Sequence, residues 1–175
     1  GHVGKSIIDI LNQKSSFLQK RTGKILNISS VAVRDLSKNR GIDTNKIKIT
    51  DQAEQLIKDP NIDIIIEVMG GEKPAYDYIL QALKNKKHVI TANKEVISKH
   101  KEIFFKTAKE NQVDIYFEAA VGGSIPLIRS LKIGYAANTI SGFYGILNGT
   151  TNYILTKIEE EEKPFEEVLK TAQEL

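Results

Sequence analysis

Ile62-Asp63-Ile64-Ile65-Ile66-Glu67-Val68 is almost continuously apolar and β-branched, the composition of a strand buried on both faces of a parallel sheet. The segments around it alternate in type. Downstream, Pro74 opens a helix through Tyr78, Ile79 and Leu83, a position that proline suits because the N–H it lacks is not needed there. His88 to Thr91 reads as a second short strand and Val113-Asp114-Ile115-Tyr116-Phe117 as a third. Upstream, Ile28 to Val33 reads as a strand, and Asp51 to Lys58 as a short helix with Asp51 as its N-cap. Earlier still, Lys5-Ser6-Ile7-Ile8-Asp9-Ile10-Leu11 carries apolar residues at helical spacing. This alternation predicts an α/β fold with a right-handed, doubly wound, mostly parallel sheet.

Composition narrows the possible functions. A chain of 175 residues holds one full domain, or one domain and the start of another. Its 41% hydrophobic and 27% charged residues are ordinary for a globular protein. The 25 basic and 22 acidic residues leave a net charge of +3, too small and too scattered to predict nucleic acid or a membrane surface as partner. No apolar stretch approaches the length of a bilayer span. The absence of cysteine removes disulfides, thiolate metal sites and cysteine nucleophiles, and fits a reducing, cytoplasmic setting. His2, His88 and His100 have no spacing that suggests a metal pair. The chain opens at Gly1 inside a motif and stops at Leu175 in a helical pattern. It therefore reads as cut at both ends, and a targeting segment ahead of Gly1 stays open.

Candidate binding residues fall at the ends of the expected strands. Gly1-His2-Val3-Gly4 matches the back half of the fingerprint G-x-G-x-x-G. Missing Cβ atoms at a helix N-terminus let a pyrophosphate approach backbone amides that carry partial positive charge. Two glycines three apart are common by themselves, and the strand ahead of them is missing. After Val31-Ala32-Val33 come Arg34-Asp35 and Ser37-Lys38-Asn39-Arg40-Gly41. In such a fold this strand end faces the adenosine ribose: an acidic residue favours NAD and an arginine the extra phosphate of NADP. Arg34, with Lys38 and Arg40 nearby, makes NADP(H) the favoured cofactor and leaves NAD(H) possible. The plainer alternative is a solvated basic loop balanced by Asp35.

Gly70-Gly71 ends the most apolar strand, where the backbone either turns tightly or passes close to the nicotinamide-side ribose. Lys94 ends the run His88-Val89-Ile90-Thr91-Ala92-Asn93-Lys94. That strand-to-helix turn directs an ammonium into the crevice where open α/β sheets bind ligands. Ile140 to Leu147 reads as an apolar strand, followed by an Asn148-Gly149 turn and a helix capped by Thr150.

The order of motifs resembles homoserine dehydrogenase along essentially the whole chain. The resemblance is carried by Val31-Ala32-Val33-Arg34-Asp35, Glu67-Val68-Met69-Gly70-Gly71 and His88 to Lys94. It rests most specifically on Glu118-Ala119-Ala120-Val121-Gly122-Gly123-Ser124-Ile125-Pro126 together with Gly145 to Leu155. It implies a Rossmann-like dinucleotide-binding domain over 1–118, lacking its first strand. The start of an α+β catalytic and dimerisation domain follows over 119–175.

The family reduces L-aspartate 4-semialdehyde to L-homoserine, toward threonine, methionine and isoleucine, and is sometimes fused to an aspartate kinase. By this resemblance Gly1, His2, Val3 and Gly4 line the pyrophosphate, although His2 stands where relatives often carry a smaller polar residue. Arg34 resembles the family's residue near the adenosine phosphate, and Thr91 and Lys94 face the nicotinamide and substrate side. Backbone carbonyls of Glu118, Val121, Gly123 and Ile125 hold a monovalent cation, usually sodium.

The resemblance also places the lysine usually assigned to proton transfer, and the acids that hold the substrate ammonium, beyond Leu175. Lys94 then keeps a supporting role, and this chain alone is expected to be inactive. A small-molecule substrate and a full-length homodimer complete the expectation. Two other readings stay open: a different Rossmann oxidoreductase acting on an amino acid or imine, and a non-catalytic nucleotide-sensing module.

Overall fold

A computed structural model describes residues 1–174, so the helix expected to run through Leu175 falls outside the described residues at its last position. The chain divides into two compact units, Gly1–Phe117 and the segment from Glu118 onward.

The first unit is α/β with parallel strands throughout. Helix α1 (His2–Gln13) is followed by α2 (Ser15–Thr22), β1 (Ser30–Ala32) and β2 (Lys48–Thr50). Next come α3 (Ala53–Lys58), β3 (Ile64–Glu67), α4 (Ala75–Lys84), β4 (His88–Thr91), α5 (Lys94–Asn111) and β5 (Ile115–Tyr116). The strands form two parallel sheets, β1-β2 and β3-β4-β5. In the second, Ile64 pairs with His88, Glu67 with Thr91 and Ile90 with Tyr116. The parallel strands are joined in order through α4 and α5, which pack together, and the usual right-handed crossover puts both helices on one face. There Ile79, Leu83, Val89, Val96 and Phe104 are fully buried, each contributing about 1.5–3 kcal/mol of apolar burial.

Several expectations require correction. The strand at 62–68 was expected to be buried on both faces, yet Ile64 and Ile66 are 43% and 38% exposed. They share an open face with Ile90 and Tyr116, because both covering helices lie on the opposite side. The strands at 28–33 and 113–117 shrink to three and two residues. Asp51 does not cap α3: Gln52 occupies the N-cap position, and the Thr50 hydroxyl accepts its N–H at 3.0 Å. Pro74 stands just ahead of α4 as its N-cap, not inside its first turn.

The second unit begins with a 3₁₀ turn, Glu118–Ala120, and continues through α6 (Leu127–Arg129) into one π-helical turn, Ser130–Gly134. Helices α7 (Gly149–Glu161) and α8 (Phe165–Glu174) pack together over the buried Ile154 and Val168. Ile140 to Leu147, expected as a strand, forms neither strand nor helix. An apolar run becomes a strand only where another strand satisfies its backbone, and none among the described residues does so. Thr150 does not cap α7; the Asn148 side chain accepts the Thr151 N–H at 2.8 Å instead.

Candidate functional site

The carboxyl ends of β3 and β4 are held by a chain of buried polar side chains. Glu67, 4% exposed, ends β3 on the helix-covered face. Its Oε2 accepts the Thr91 hydroxyl at 2.5 Å and its Oε1 the Met69 N–H at 2.7 Å. Thr91 Oγ1 accepts the Asn93 N–H at 3.0 Å. Asn93, also buried, donates from Nδ2 to the Gly71 carbonyl at 2.8 Å and accepts the Val96 N–H at 3.2 Å. Asn93 is thus the N-cap of α5 and the clamp on the Gly70-Gly71 turn at once. No buried side-chain polar atom among the described residues lacks a partner, so the strand ends are fixed rather than adaptable.

A second tie holds the same turn from its outer side. Glu72 accepts Lys99 Nζ and bonds His100 Nε2, each at 2.7 Å, and the Tyr76 ring lies 4.5 Å from the His100 ring. Hydrogen bonds from Lys99 and then His100 hold the Glu72 carboxyl below the usual carboxylate range.

The amino-terminal glycines meet this site. Gly1 is the N-cap of α1, and no side chain caps that helix, so amides of its first turn remain available to an anion. A Cβ on Gly4 would lie 3.5 Å from Val68 Cγ2, just past β3, whereas Gly1 and Gly70 face open space. The helix start therefore abuts the end of the central strand. Gly71 has φ +80°, a left-handed backbone that suits glycine. His2 and Val3 are exposed at the same turn.

The loop after β1 is braced from within. Asp35 Oδ1 accepts both the N–H and the hydroxyl of Ser37, at 2.9 and 2.6 Å. These bonds, the hydroxyl's first, lower the Asp35 pKa. Arg40 Nη1 donates to the carbonyls of Asp35 and Lys38 at 2.6 and 2.8 Å. The Arg40 guanidinium thus serves the loop itself. Arg34 and Lys38 are exposed, and their side chains have no partner among the described residues.

Lys94 stands at the strand-to-helix turn after β4 as expected, and as the first residue of α5 it is solvent-exposed. The α5 start lies at the surface, and of its first residues only Val96 and Ile97 turn inward.

In the second unit the Glu118 carboxylate accepts the N–H groups of Ile128 and Arg129 at 2.8 and 2.7 Å, at the start of α6. The Glu118 carbonyl accepts the Val121 N–H, and the Ile125 carbonyl the Leu127 N–H. Gly122 and Gly123 have φ of +68° and +62°, which fold the loop on itself. The Ile125 and Leu147 carbonyl oxygens lie 3.8 and 3.9 Å from a Cβ position on Gly122. Among the described residues no three His, Asp or Glu side chains gather as metal ligands. Neutral carbonyl oxygens on a glycine turn are the donor type that a weakly charged hard ion accepts.

Reasoning from sequence missed Glu67, Asn93 and Glu72 as site organisers. The signals for the first two were present: one acid ending an apolar strand, and asparagine directly before a helical pattern.

The comparisons agree on one family. The family model for the homoserine dehydrogenase NAD-binding domain matches residues 1–118, and the model for homoserine dehydrogenase matches 126–175. Homoserine dehydrogenase from Bacillus subtilis is 43% identical over all 175 residues, and that from Synechocystis 41% identical. The chain spans 40% of the length of each of these curated relatives. A crystal structure of homoserine dehydrogenase from Thiobacillus denitrificans superposes with a TM-score of 0.86 at 37% identity. It covers 99% of this chain and 40% of its own. The Staphylococcus aureus enzyme gives a TM-score of 0.74 at 38% identity, covering 99% of this chain and 41% of its own. The chain belongs to the homoserine dehydrogenase family.

Proposed function

We propose that this chain is the nucleotide-binding part, and the beginning of the catalytic part, of an enzyme that reduces L-aspartate 4-semialdehyde to L-homoserine. The observation that carries this reading is the contact of the Gly1–Gly4 helix start with the β3 end, beside the braced Glu67–Thr91–Asn93 turn. It belongs to a chain matched along its length by that family.

When bound, the nicotinamide ring supplies a hydride to the aldehyde carbon. Gly1 and Gly4 admit the pyrophosphate to the amides of α1, where the helix dipole favours negative charge. Arg34 and Lys38 hold the adenosine end and favour the 2′-phosphate of NADP(H), with NAD(H) still accommodated. Glu67 and Asn93 position the Gly70-Gly71 turn and Thr91 against the nicotinamide side. Lys94, at the α5 start, polarises the carbonyl and stabilises the developing alkoxide. Proton delivery is assigned, by the family resemblance, to a lysine that is not among the residues described above. Carbonyls of Glu118, Val121, Gly123 and Ile125 hold a monovalent cation, sodium by family resemblance, which stiffens the loop into α6. The full-length protein acts as a homodimer in the cytoplasm.

The test is an assay of the full-length protein with NADPH and aspartate semialdehyde, alongside Lys94→Ala. The expected result is homoserine formation in the parent and a loss of turnover of about tenfold or more in the variant. Nucleotide binding without aldehyde reduction by the parent would instead favour a nucleotide-sensing module or an oxidoreductase for another substrate. Unchanged kinetics in Lys94→Ala would return Lys94 to a solvated helix start.

A further inference from the structure

Lys5 opens the helical segment 5–11 and has been given no role in binding so far. It stands in the first turns of α1, exposed, one residue past the glycine pair. Its Nζ lies 3.8 Å from the Cβ position of Gly41, so the side chain reaches from α1 across to the far end of the basic loop after β1. Among the described residues this ammonium makes no ion pair or hydrogen bond. The loop it reaches holds its own acid in place: the Asp35 carboxylate is turned onto Ser37. Asn39 Oδ1 accepts the Gly41 N–H at 2.9 Å, and Arg40 is spent on the carbonyls of Asp35 and Lys38. The next acid along, Asp43, accepts the Asn45 N–H and lies 3.9 Å from Lys46. The cations left over are Arg34 and Lys38 on the loop and Lys5 arriving from the helix.

We infer that Lys5 is a specificity-determining residue, a third cation that joins Arg34 and Lys38 around a phosphomonoester on the adenosine ribose. The inference rests on the nucleotide-binding reading above and adds a residue to it from a different element. Lys5 thus brings a further free cation to a loop that already carries Arg34 and Lys38 and whose carboxylate is engaged by Ser37. Held without an anion the three cations repel one another, and a dianionic phosphate relieves that repulsion. A ribose with free hydroxyls gives them nothing of comparable charge to bind. The loop's internal bracing matters here: Arg40 and Asp35 keep residues 35–41 in one shape, so the point that Lys5 reaches is preset.

The experiment is calorimetric titration of the full-length protein with 2′,5′-ADP and with 5′-AMP, for the parent, Lys5→Gln, Lys5→Arg and Arg34→Ala. The parent should bind 2′,5′-ADP more tightly than 5′-AMP. Lys5→Gln should weaken 2′,5′-ADP by about tenfold and leave 5′-AMP within about twofold. Lys5→Arg should retain the preference, and added salt should erode it as surface charges are screened. If Lys5→Gln leaves 2′,5′-ADP unchanged, or weakens both probes equally, the role assigned to Lys5 is overturned while the nucleotide site survives. A parent that binds the two probes equally overturns it as well. A parent that binds neither these probes nor NADPH and NADH overturns the nucleotide reading itself, and Lys5 with it.

Discussion

Thr91 is the residue on which the strand ends most depend. Its hydroxyl donates to Glu67 and accepts from the Asn93 N–H, and all three residues are buried. Thr91→Val keeps the shape and β-propensity and removes only that oxygen. It leaves a buried carboxylate oxygen and a buried N–H without partners, so stability should fall by about 1–3 kcal/mol. A lower urea midpoint with an unchanged slope would register this; an unmoved midpoint would mean that water replaces the hydroxyl. Arg34 makes a different demand, because nothing within the fold engages it. Arg34→Ala should leave stability alone and weaken NADPH more than NADH, by about 1–3 kcal/mol for a lost charged hydrogen bond. Equal weakening of the two nucleotides, measured by fluorescence titration, would remove the phosphate contact from Arg34.

At the scale of elements, what was legible followed from local chemistry. His88 to Thr91 is a strand over the very residues read as one, because a short β-branched run ahead of a capping asparagine allows little else. The Gly1–Gly4 helix start was legible for the same reason. Ile140 to Leu147 was misread because hydrophobicity records a need for burial and says nothing of which strand lies alongside. The two-sided burial expected of Ile64 and Ile66 failed likewise, since a residue's appetite for cover does not name the covering element. The Glu72 tie was illegible because Glu72 and His100 are 28 positions apart, and only the packing of α4 against α5 joins them.

A local ion-pair cluster shows the opposite case. Glu161 ends α7, where hydrogen bonds from Lys157 and then Lys163 push its carboxyl down from 4.5 to about 2. A depressed carboxyl stabilises the fold above its unfolded value and loses that contribution as pH falls through the folded one. The α7 end should therefore hold down to the ordinary carboxylate range and loosen progressively between there and about pH 2. Carbon NMR of the Glu161 carboxyl should show the low midpoint, and Lys157→Ala should raise it. A midpoint already ordinary in the parent would mean that the bridges are not populated in solution.

Across the whole chain the two units differ in how much of their surface is secured. The first surrounds Phe104, Val89 and Leu83, each fully buried, with helices on one face of a parallel sheet. The second has its secured part in the α7 and α8 pair. Between the π-helical turn and α7 lies a stretch with neither helix nor strand, in which Ile140, Phe143, Tyr144 and Ile146 are exposed. A protease must draw an extended segment into its cleft, so it attacks where the backbone has fewest hydrogen bonds to give up. Phe104 satisfies the side-chain preference of chymotrypsin but sits in the middle of α5 and has no exposure, whereas Tyr144 is fully exposed in the irregular stretch. Brief chymotrypsin treatment of this chain should therefore cut first at Phe143 or Tyr144. It should release a fragment that starts at Gly1 and retains the first unit whole, together with a smaller piece containing α7 and α8. Mass spectrometry of early time points decides the matter. First cuts inside α4 or α5 would mean that the one-sided cover of the β3-β4-β5 sheet leaves the nucleotide-binding unit the less stable of the two.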